Sequence, residues 1–267
     1  MAVSNVNSMA IVDQRRGGPA PGASGARGAL RDLGFALAPA LGTVGASWWL
    51  LGLPASYLLI GIALYGVLVA LTLRTVPKDL PGPGLGPANR VTLGRAVLAI
   101  PVLALALQPG ALGVAGQWWV IALSTVVLVL DGLDGRVARR TGNQTHFGAR
   151  FDMELDAALI MALSILVWRA GIVGSWVLLI GLMRYAFVAA SWIWPALGAE
   201  LPPSLRRKVV CVVQGVVLLV ALGPIIPGWM AAAVAAAGLV ALGYSFAVDV
   251  RWALSAGRAT SGCSPRC

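Results

Sequence analysis

The amino-acid sequence predicts an all-α, polytopic membrane protein with about eight transmembrane helices. Of its 267 residues, 58% are hydrophobic and only 11% are charged, and the mean hydropathy is +0.84. Soluble domains carry roughly 25% charged residues, so this composition indicates a chain that lies in lipid. Apolar segments near the length of a bilayer span follow one another along the chain. We place the spans at residues 34–53, 55–73, 91–108, 117–135, 149–169, 175–196, 207–223 and 228–249.

The basic residues predict how the chain is oriented in the membrane. With the N-terminus inside, all of the 20 Lys and Arg fall on the cytoplasmic side except Arg95, Arg169 and Arg184. Positive charge concentrates in cytoplasmic loops, so we expect both termini to be cytoplasmic in the cell's inner or plasma membrane. This placement also accounts for the net charge of +10, because basic loops attract anionic lipid. No nucleic-acid-binding motif is present.

Two polar stretches divide the chain. Residues 1–33 are rich in Gly, Ala, Ser and Arg and are expected to form a disordered or interfacial tail. Residues 77–88 (PKDLPGPGLGPA) contain Pro and Gly at a density typical of a linker. We therefore expect an N-terminal pair of transmembrane helices (34–80), a larger unit (89–250) and a cytoplasmic tail (251–267).

The most informative segment is residues 131–156, DGLDGRVARRTGNQTHFGARFDMELD. Five of the chain's ten acidic residues lie in it: Asp131, Asp134, Asp152, Glu154 and Asp156. Apolar runs flank it on both sides. A carboxylate that enters an apolar segment is costly unless it is paired or binds a cation, so the segment is expected to form a functional site.

Helical spacing predicts that these acids lie on two helix faces. Asp131 begins the first face. Three further positions share it because they stand three, four and seven residues after Asp131: Asp134, Gly135 and Ala138. Three positions share the second face: Gly148, Asp152 and Asp156. Two such faces would repel each other unless hard cations lay between them, and Mg²⁺ or Mn²⁺ takes oxygen ligands of this kind. The alternative is a purely structural cluster in which the acids pair with Arg136, Arg139, Arg140 and Arg150.

The fixed positions spell D-x-x-D-G-x-x-A-R-(x8)-G-x-x-x-D-x-x-x-D, from Asp131 to Asp156. The sequence therefore resembles the CDP-alcohol phosphotransferase (CDP-alcohol phosphatidyltransferase) family. The resemblance implies an integral-membrane enzyme of phospholipid biosynthesis, with a six-helix catalytic unit at residues 89–250. It implies that a phosphatidyl group moves from CDP-diacylglycerol to an alcohol acceptor and that CMP is released. It also implies a homodimer, although no pattern in the sequence marks an interface.

The resemblance assigns roles to the matching positions. It implies that two divalent ions, Mg²⁺ or Mn²⁺, are held by Asp131, Asp134, Asp152 and Asp156. It implies that Asp156 also acts as general base on the acceptor hydroxyl. The CDP-lipid site would be lined by Gly135, Ala138, Arg139 and Gly148. Direct displacement fits these roles, because two cations about 4 Å apart neutralise a diphosphate and the departing CMP.

Asn89, Thr92 and Arg95 resemble an N-x-x-T-x-x-R segment that precedes the signature in this family. The resemblance implies that they contact the substrate phosphate. The alternative is an ordinary helix start, with Asn89 as the cap and Arg95 extended to the membrane interface.

Two later sites are candidates for binding an acceptor or another anion. Lys208, Cys211 and Gln214 resemble a G-K-x-x-T-x-x-Q segment in part, since Arg207 replaces the Gly and Cys211 the Thr. The alternative for Lys208 is a basic helix end that faces anionic headgroups. Arg184 lies inside an apolar span and needs an anionic partner, which is either an acceptor phosphate or a signature carboxylate.

The same carboxylates would also suit a protein of another class, a non-catalytic membrane transporter that binds cations. Release of CMP from CDP-diacylglycerol distinguishes the two classes. The acceptor alcohol stays open. Phosphatidylglycerophosphate synthases usually place a Lys after the last signature Asp, whereas Ala157 stands here, which disfavours glycerol 3-phosphate. Inositol phosphate, serine, choline and a second lipid remain candidates.

Overall fold

The structure is a computed structural model that describes residues 21–76, 84–110, 112–141, 146–194 and 204–261. Side chains are described in these ranges except at 21–27, 87–88, 133–141, 146 and 254–261. The described residues form eight α-helices and no strand: α1 (Pro21–Leu51), α2 (Ala55–Thr75), α3 (Pro87–Leu107), α4 (Val114–Thr141), α5 (His146–Arg169), α6 (Leu178–Ile193), α7 (Leu205–Leu222) and α8 (Gly228–Ser261). Each of the predicted spans overlaps one of these helices, and residues 195 and 196, at the end of the sixth predicted span, lie outside the described residues. The prediction of an all-α polytopic membrane protein is confirmed.

Six helical segments of the described chain are long and apolar enough to cross a membrane: Gly28–Leu51, Ala55–Thr75, Asn89–Leu107, Val114–Gly132, Ser175–Ile193 and Gly228–Ala253. The helices α5 and α7 carry more charge than such spans allow. The first turn of α7 contains Arg206, Arg207 and Lys208, and α5 contains the second half of the acidic segment. The chain is therefore an integral membrane protein, and both of these charged helices hold candidate functional residues.

The first helix is longer than the sequence predicted. It begins at Pro21, so residues 21–33, which were expected in the polar tail, continue the first span as a helix. Proline is favoured at a first helical position because its missing N–H has no intrahelical partner there. Residues 1–20 lie outside the described part of the chain.

The helix α3 lies at the centre of the fold. It packs against α1, α2, α4 and α5, while α5 also packs against α6 and α7, and α7 packs against α8. Small residues let these helices approach closely, as is usual in membranes. A Cβ atom at Gly181 of α6 would lie 2.7 Å from the Cα of Met161 in α5, so only glycine fits at this crossing.

One carboxylate ties α1 to the start of α3. The Oδ2 atom of Asp32 accepts hydrogen bonds from the backbone N–H of Leu85 (2.9 Å) and from Nε of Arg90 (3.0 Å). The backbone of Gly84 has a φ of +105°, and a Cβ there would lie 2.5 Å from Asp32 Oδ2. The end of the Pro/Gly-rich stretch is therefore fixed against α1.

Candidate functional site

The helices α4 and α5 bring three of the predicted aspartates together. Carboxylate oxygens of Asp131, Asp152 and Asp156 all lie within 4.8 Å of one another. Asp131 comes from α4, while Asp152 and Asp156 stand four residues apart on α5, which aligns their side chains on one face. Their side chains are 22%, 37% and 20% exposed. We call these three residues the carboxylate cluster, and it remains accessible from outside the core.

Arg95 of α3 lies against all three members of the carboxylate cluster. Its Nη1 atom is 2.9 Å from Asp131 Oδ1 and also pairs with Asp152. Its Nη2 atom is 2.6 Å from Asp156 Oδ1. Its Nε donates a hydrogen bond to the backbone carbonyl of Val127 at 3.3 Å. The residue is fully buried, so the alternative in which Arg95 extends to the membrane interface is wrong.

The carboxylate cluster carries more negative charge than Arg95 balances, since three carboxylates face one guanidinium. An excess of buried charge is costly unless a counter-ion binds. The donor atoms are all carboxylate oxygens, which is the chemistry that Mg²⁺ and Mn²⁺ prefer. The residues present therefore fit a divalent metal of this kind.

The helix α7 approaches the carboxylate cluster from another side. The Cys211 Sγ atom is 4.0 Å from Asp156 Oδ2, and the positive charge of Lys208 acts on Asp131. Gln214 is fully buried and donates from Nε2 to the backbone carbonyl of Gly238 in α8 at 2.9 Å. The residues from Lys208 to Gln214 therefore have two different surroundings. Lys208 and Cys211 lie near the carboxylate cluster, whereas Gln214 joins α7 to α8.

Arg184 of α6 forms an ion pair with Glu154 of α5. It therefore has a carboxylate partner in the acidic segment, as one alternative required, but that partner is not a signature aspartate. The Glu154 side chain is 61% exposed and does not join the carboxylate cluster. The contact of Arg184 with an acceptor stays a prediction.

The remaining predicted residues lie at the start of α3 and along α4 and α5. Asn89 and Thr92 are buried, each 5% exposed. The Asn89 side chain donates to the Leu85 carbonyl at 2.7 Å, and α3 is capped at Gly86, so the alternative that Asn89 caps the helix is wrong. Gly148 is partly buried on α5. Four positions of α4 lie outside the described side chains: Asp134, Gly135, Ala138 and Arg139.

Sequence reasoning missed the ion pairs of Arg95. A signal for them was present, because an arginine inside an apolar span needs an anionic partner. The aspartates of residues 131–156 were the obvious candidates for that anionic partner. The spacing of acidic residues within α4 and within α5 could not show that α3 brings Arg95 to those aspartates.

Comparison with known proteins places most of the chain in one family. The family model described as CDP-alcohol phosphatidyltransferase matches residues 86–246. This range covers more than half of the chain and includes Arg95 and the whole carboxylate cluster. No curated protein and no solved structure matches the chain significantly. The chain belongs to the CDP-alcohol phosphatidyltransferase family.

Proposed function

We propose that this protein moves a phosphatidyl group from CDP-diacylglycerol to an alcohol acceptor and releases CMP, and that it requires Mg²⁺ or Mn²⁺. The observation that carries the proposal is the meeting of Asp131, Asp152 and Asp156 within the matched range. These three residues would hold the metal, with Asp134 as the fourth ligand. A bound divalent metal supplies the positive charge that stabilises a diphosphate and a departing nucleotide.

Asp156 is the residue that we assign as the general base. Its Oδ1 atom pairs with Arg95, while its Oδ2 atom faces Cys211 at 4.0 Å. A general base must lie within hydrogen-bond reach of the proton that it accepts, and we assign this role to Oδ2 because Oδ1 is paired with Arg95. The acceptor hydroxyl gives its proton to Oδ2, and its oxygen forms a bond to the phosphorus of the phosphatidyl group. The bond from that phosphorus to CMP breaks, and CMP leaves with the bonding electrons.

The acceptor is proposed to enter beside α6 and α7, near Arg184 and Lys208. The Nε atom of Arg184 is buried and has no hydrogen-bond partner among the described residues. Lys208 is exposed, and its charge acts on Asp131 of the carboxylate cluster. Two cationic groups near the base favour an acceptor that carries an anionic group of its own, because charge-assisted hydrogen bonds to phosphate or carboxylate are strong.

The test is release of CMP from CDP-diacylglycerol by the purified protein, with each candidate acceptor, in Mg²⁺ or Mn²⁺ and in EDTA. We expect release only with a divalent ion and only with one class of acceptor. Asp131→Asn and Asp152→Asn should abolish it. Asp249→Asn is the matched control, since Asp249 pairs with Arg206 and is not a member of the carboxylate cluster, and it should retain activity. A protein that binds Mn²⁺ yet releases no CMP with any acceptor would instead be a cation-binding transporter.

A further inference from the structure

A groove of about 470 Å³ lies between α1 and α3. Its apolar wall includes Phe35 and Pro39 of α1 and Leu93 and Val97 of α3. Its rim includes Arg31 and Arg90. The groove is separate from the carboxylate cluster, because α3 turns Arg95 toward α4 and α5 while the groove-lining residues lie on another face of the same helix. We call it the α1–α3 groove.

The α1–α3 groove lies between two segments that are apolar enough to span a membrane, Gly28–Leu51 and Asn89–Leu107. Phe35 is 75% exposed, so the apolar wall faces the surrounding hydrocarbon. A void against such a wall would lose dispersion contacts. A hydrocarbon chain is therefore the natural occupant along this wall, since lipid tails are as apolar as the side chains that line it.

The rim of the α1–α3 groove is positively charged and favours an anionic headgroup. Among the described residues it holds the exposed Arg31, and Arg90, which pairs with Asp32, so positive charge is in excess there. Arg31 and Arg90 stand near the first residues of their spans, at the depth where headgroups meet protein. Basic side chains at that depth attract anionic lipid headgroups. A positive rim above an apolar wall matches a ligand with an anionic head and a hydrocarbon tail.

We propose that the α1–α3 groove binds one anionic phospholipid, with its phosphate at Arg31 and Arg90 and an acyl chain along Phe35, Pro39 and Leu98. The site does not depend on the proposed reaction, because it uses none of the residues assigned to it. The occupant is a lipid of the surrounding membrane and not the lipid substrate, because the groove lies on the face of α3 that is turned away from the carboxylate cluster.

Gly94 offers a way to fill the groove without disturbing the fold. It lines the groove, and a Cβ at this position would have nothing within 4 Å, so Gly94→Leu projects a side chain into open space. Gly66 of α2 is the matched control. A Cβ there also has nothing within 4 Å, and Gly66 is not among the groove-lining residues.

The measurement is native mass spectrometry of the full chain in detergent, with added phosphatidylglycerol, phosphatidylcholine or CDP-diacylglycerol. We expect one tightly bound phosphatidylglycerol in the unchanged protein and in Gly66→Leu, and at least about tenfold weaker binding in Gly94→Leu. Arg31→Gln should reduce the preference for phosphatidylglycerol over phosphatidylcholine, whereas Arg74→Gln, an exposed arginine outside the groove, should not.

Competition identifies the source of the lipid. We expect CDP-diacylglycerol not to displace phosphatidylglycerol from the Gly94-dependent site, because the occupant is a separate membrane lipid. Displacement at equal concentration would mean that the groove takes the substrate lipid and would overturn the proposal. Unchanged phosphatidylglycerol binding in Gly94→Leu would overturn the proposal, as would equal loss in Gly66→Leu. An unchanged lipid preference in Arg31→Gln overturns the assignment of the rim even if Gly94→Leu fails to fold.

Discussion

Arg95 is the residue on which the arrangement of the carboxylate cluster depends. Three carboxylates within 4.8 Å of one another repel strongly in a partly buried site. Arg95 supplies a fixed countercharge from a third helix and holds the acids in place. A divalent ion bound to the same oxygens would compete with the guanidinium for them, so we expect Arg95 and a metal to be alternative partners of the cluster.

This competition makes Arg95→Met informative. The change keeps an unbranched apolar side chain and removes the charge, so uncompensated acids remain, and such a loss costs roughly 3–5 kcal/mol in buried ion pairs. In EDTA, we expect Arg95→Met to have a lower melting temperature than the unchanged protein. When Mn²⁺ is added, we expect the melting temperature of Arg95→Met to rise by more than that of the unchanged protein. The control is Arg74→Met, which changes an exposed arginine at the end of α2. Equal melting temperatures of Arg95→Met and the unchanged protein in EDTA would refute this role.

Asp156→Asn tests the assignment of the base. An amide cannot accept the acceptor's proton, so CMP release should fall by roughly 10²- to 10⁴-fold, while CDP-diacylglycerol still binds. Mn²⁺ binding is measured in parallel, because the amide oxygen still offers one ligand atom and a retained metal shows that the loss is chemical. Normal turnover in this variant would mean that another group removes the proton.

At the level of the helices, the spacing of acidic residues predicted much of the site. The four-residue step from Asp152 to Asp156 placed both on one face of α5, and the structure brings Asp131 of α4 to that face. Spacing within one helix does not determine which neighbouring helix packs on that face. For this reason the sequence did not show that Arg95 of α3 and Cys211 of α7 meet the acids there.

Helix boundaries were harder to predict where the composition was ambiguous. The Gly-, Ala- and Arg-rich residues after Pro21 are polar enough to suggest a tail, yet they form the first turns of α1. Asp32, near the end of this stretch, bonds to Leu85 and Arg90 and fixes this part of α1 against the start of α3. Such a contact between residues far apart in sequence cannot be read from local composition.

The crossing of α5 and α6 gives a prediction for one glycine. Gly181→Leu places a side chain where a Cβ would lie 2.7 Å from the Met161 Cα, and a backbone atom cannot move aside cheaply. Overpacking of this kind costs roughly 1–3 kcal/mol. We expect a lower melting temperature in detergent, and the control is Gly243→Leu on α8, where a Cβ has nothing within 4 Å. Equal effects of the two changes would show that the crossing tolerates separation.

At the scale of the whole molecule, the distribution of basic residues predicts which ends of the helices are cytoplasmic. Arg169 is the one basic residue predicted at the outer end of a helix. It donates to the backbone carbonyls of Leu105 (3.3 Å) and Ala106 (2.9 Å) at the end of α3. Arginine commonly satisfies the last carbonyls of a helix in this way. The cytoplasmic placement of the termini, the division into units 34–80 and 89–250, and the homodimer stay predictions.

Labelling with a membrane-impermeant maleimide tests the orientation. In a chain with its three cysteines changed to serine, Ser175→Cys between α5 and α6 should react in intact cells. Arg74→Cys at the end of α2 should react only after permeabilisation, because basic ends of spans face the cytoplasm. The reverse pattern would place the carboxylate cluster on the outer side.

The central claim is that Asp131, Asp152 and Asp156 bind a divalent metal, and direct Mn²⁺ binding tests it most closely. Electron paramagnetic resonance titration of the purified protein should show Mn²⁺ binding that Asp152→Asn weakens at least about tenfold. Glu154→Gln, two residues away on the same helix and paired with Arg184 instead, should bind Mn²⁺ as the unchanged protein does. Equal binding by Asp152→Asn and the unchanged protein would contradict the account.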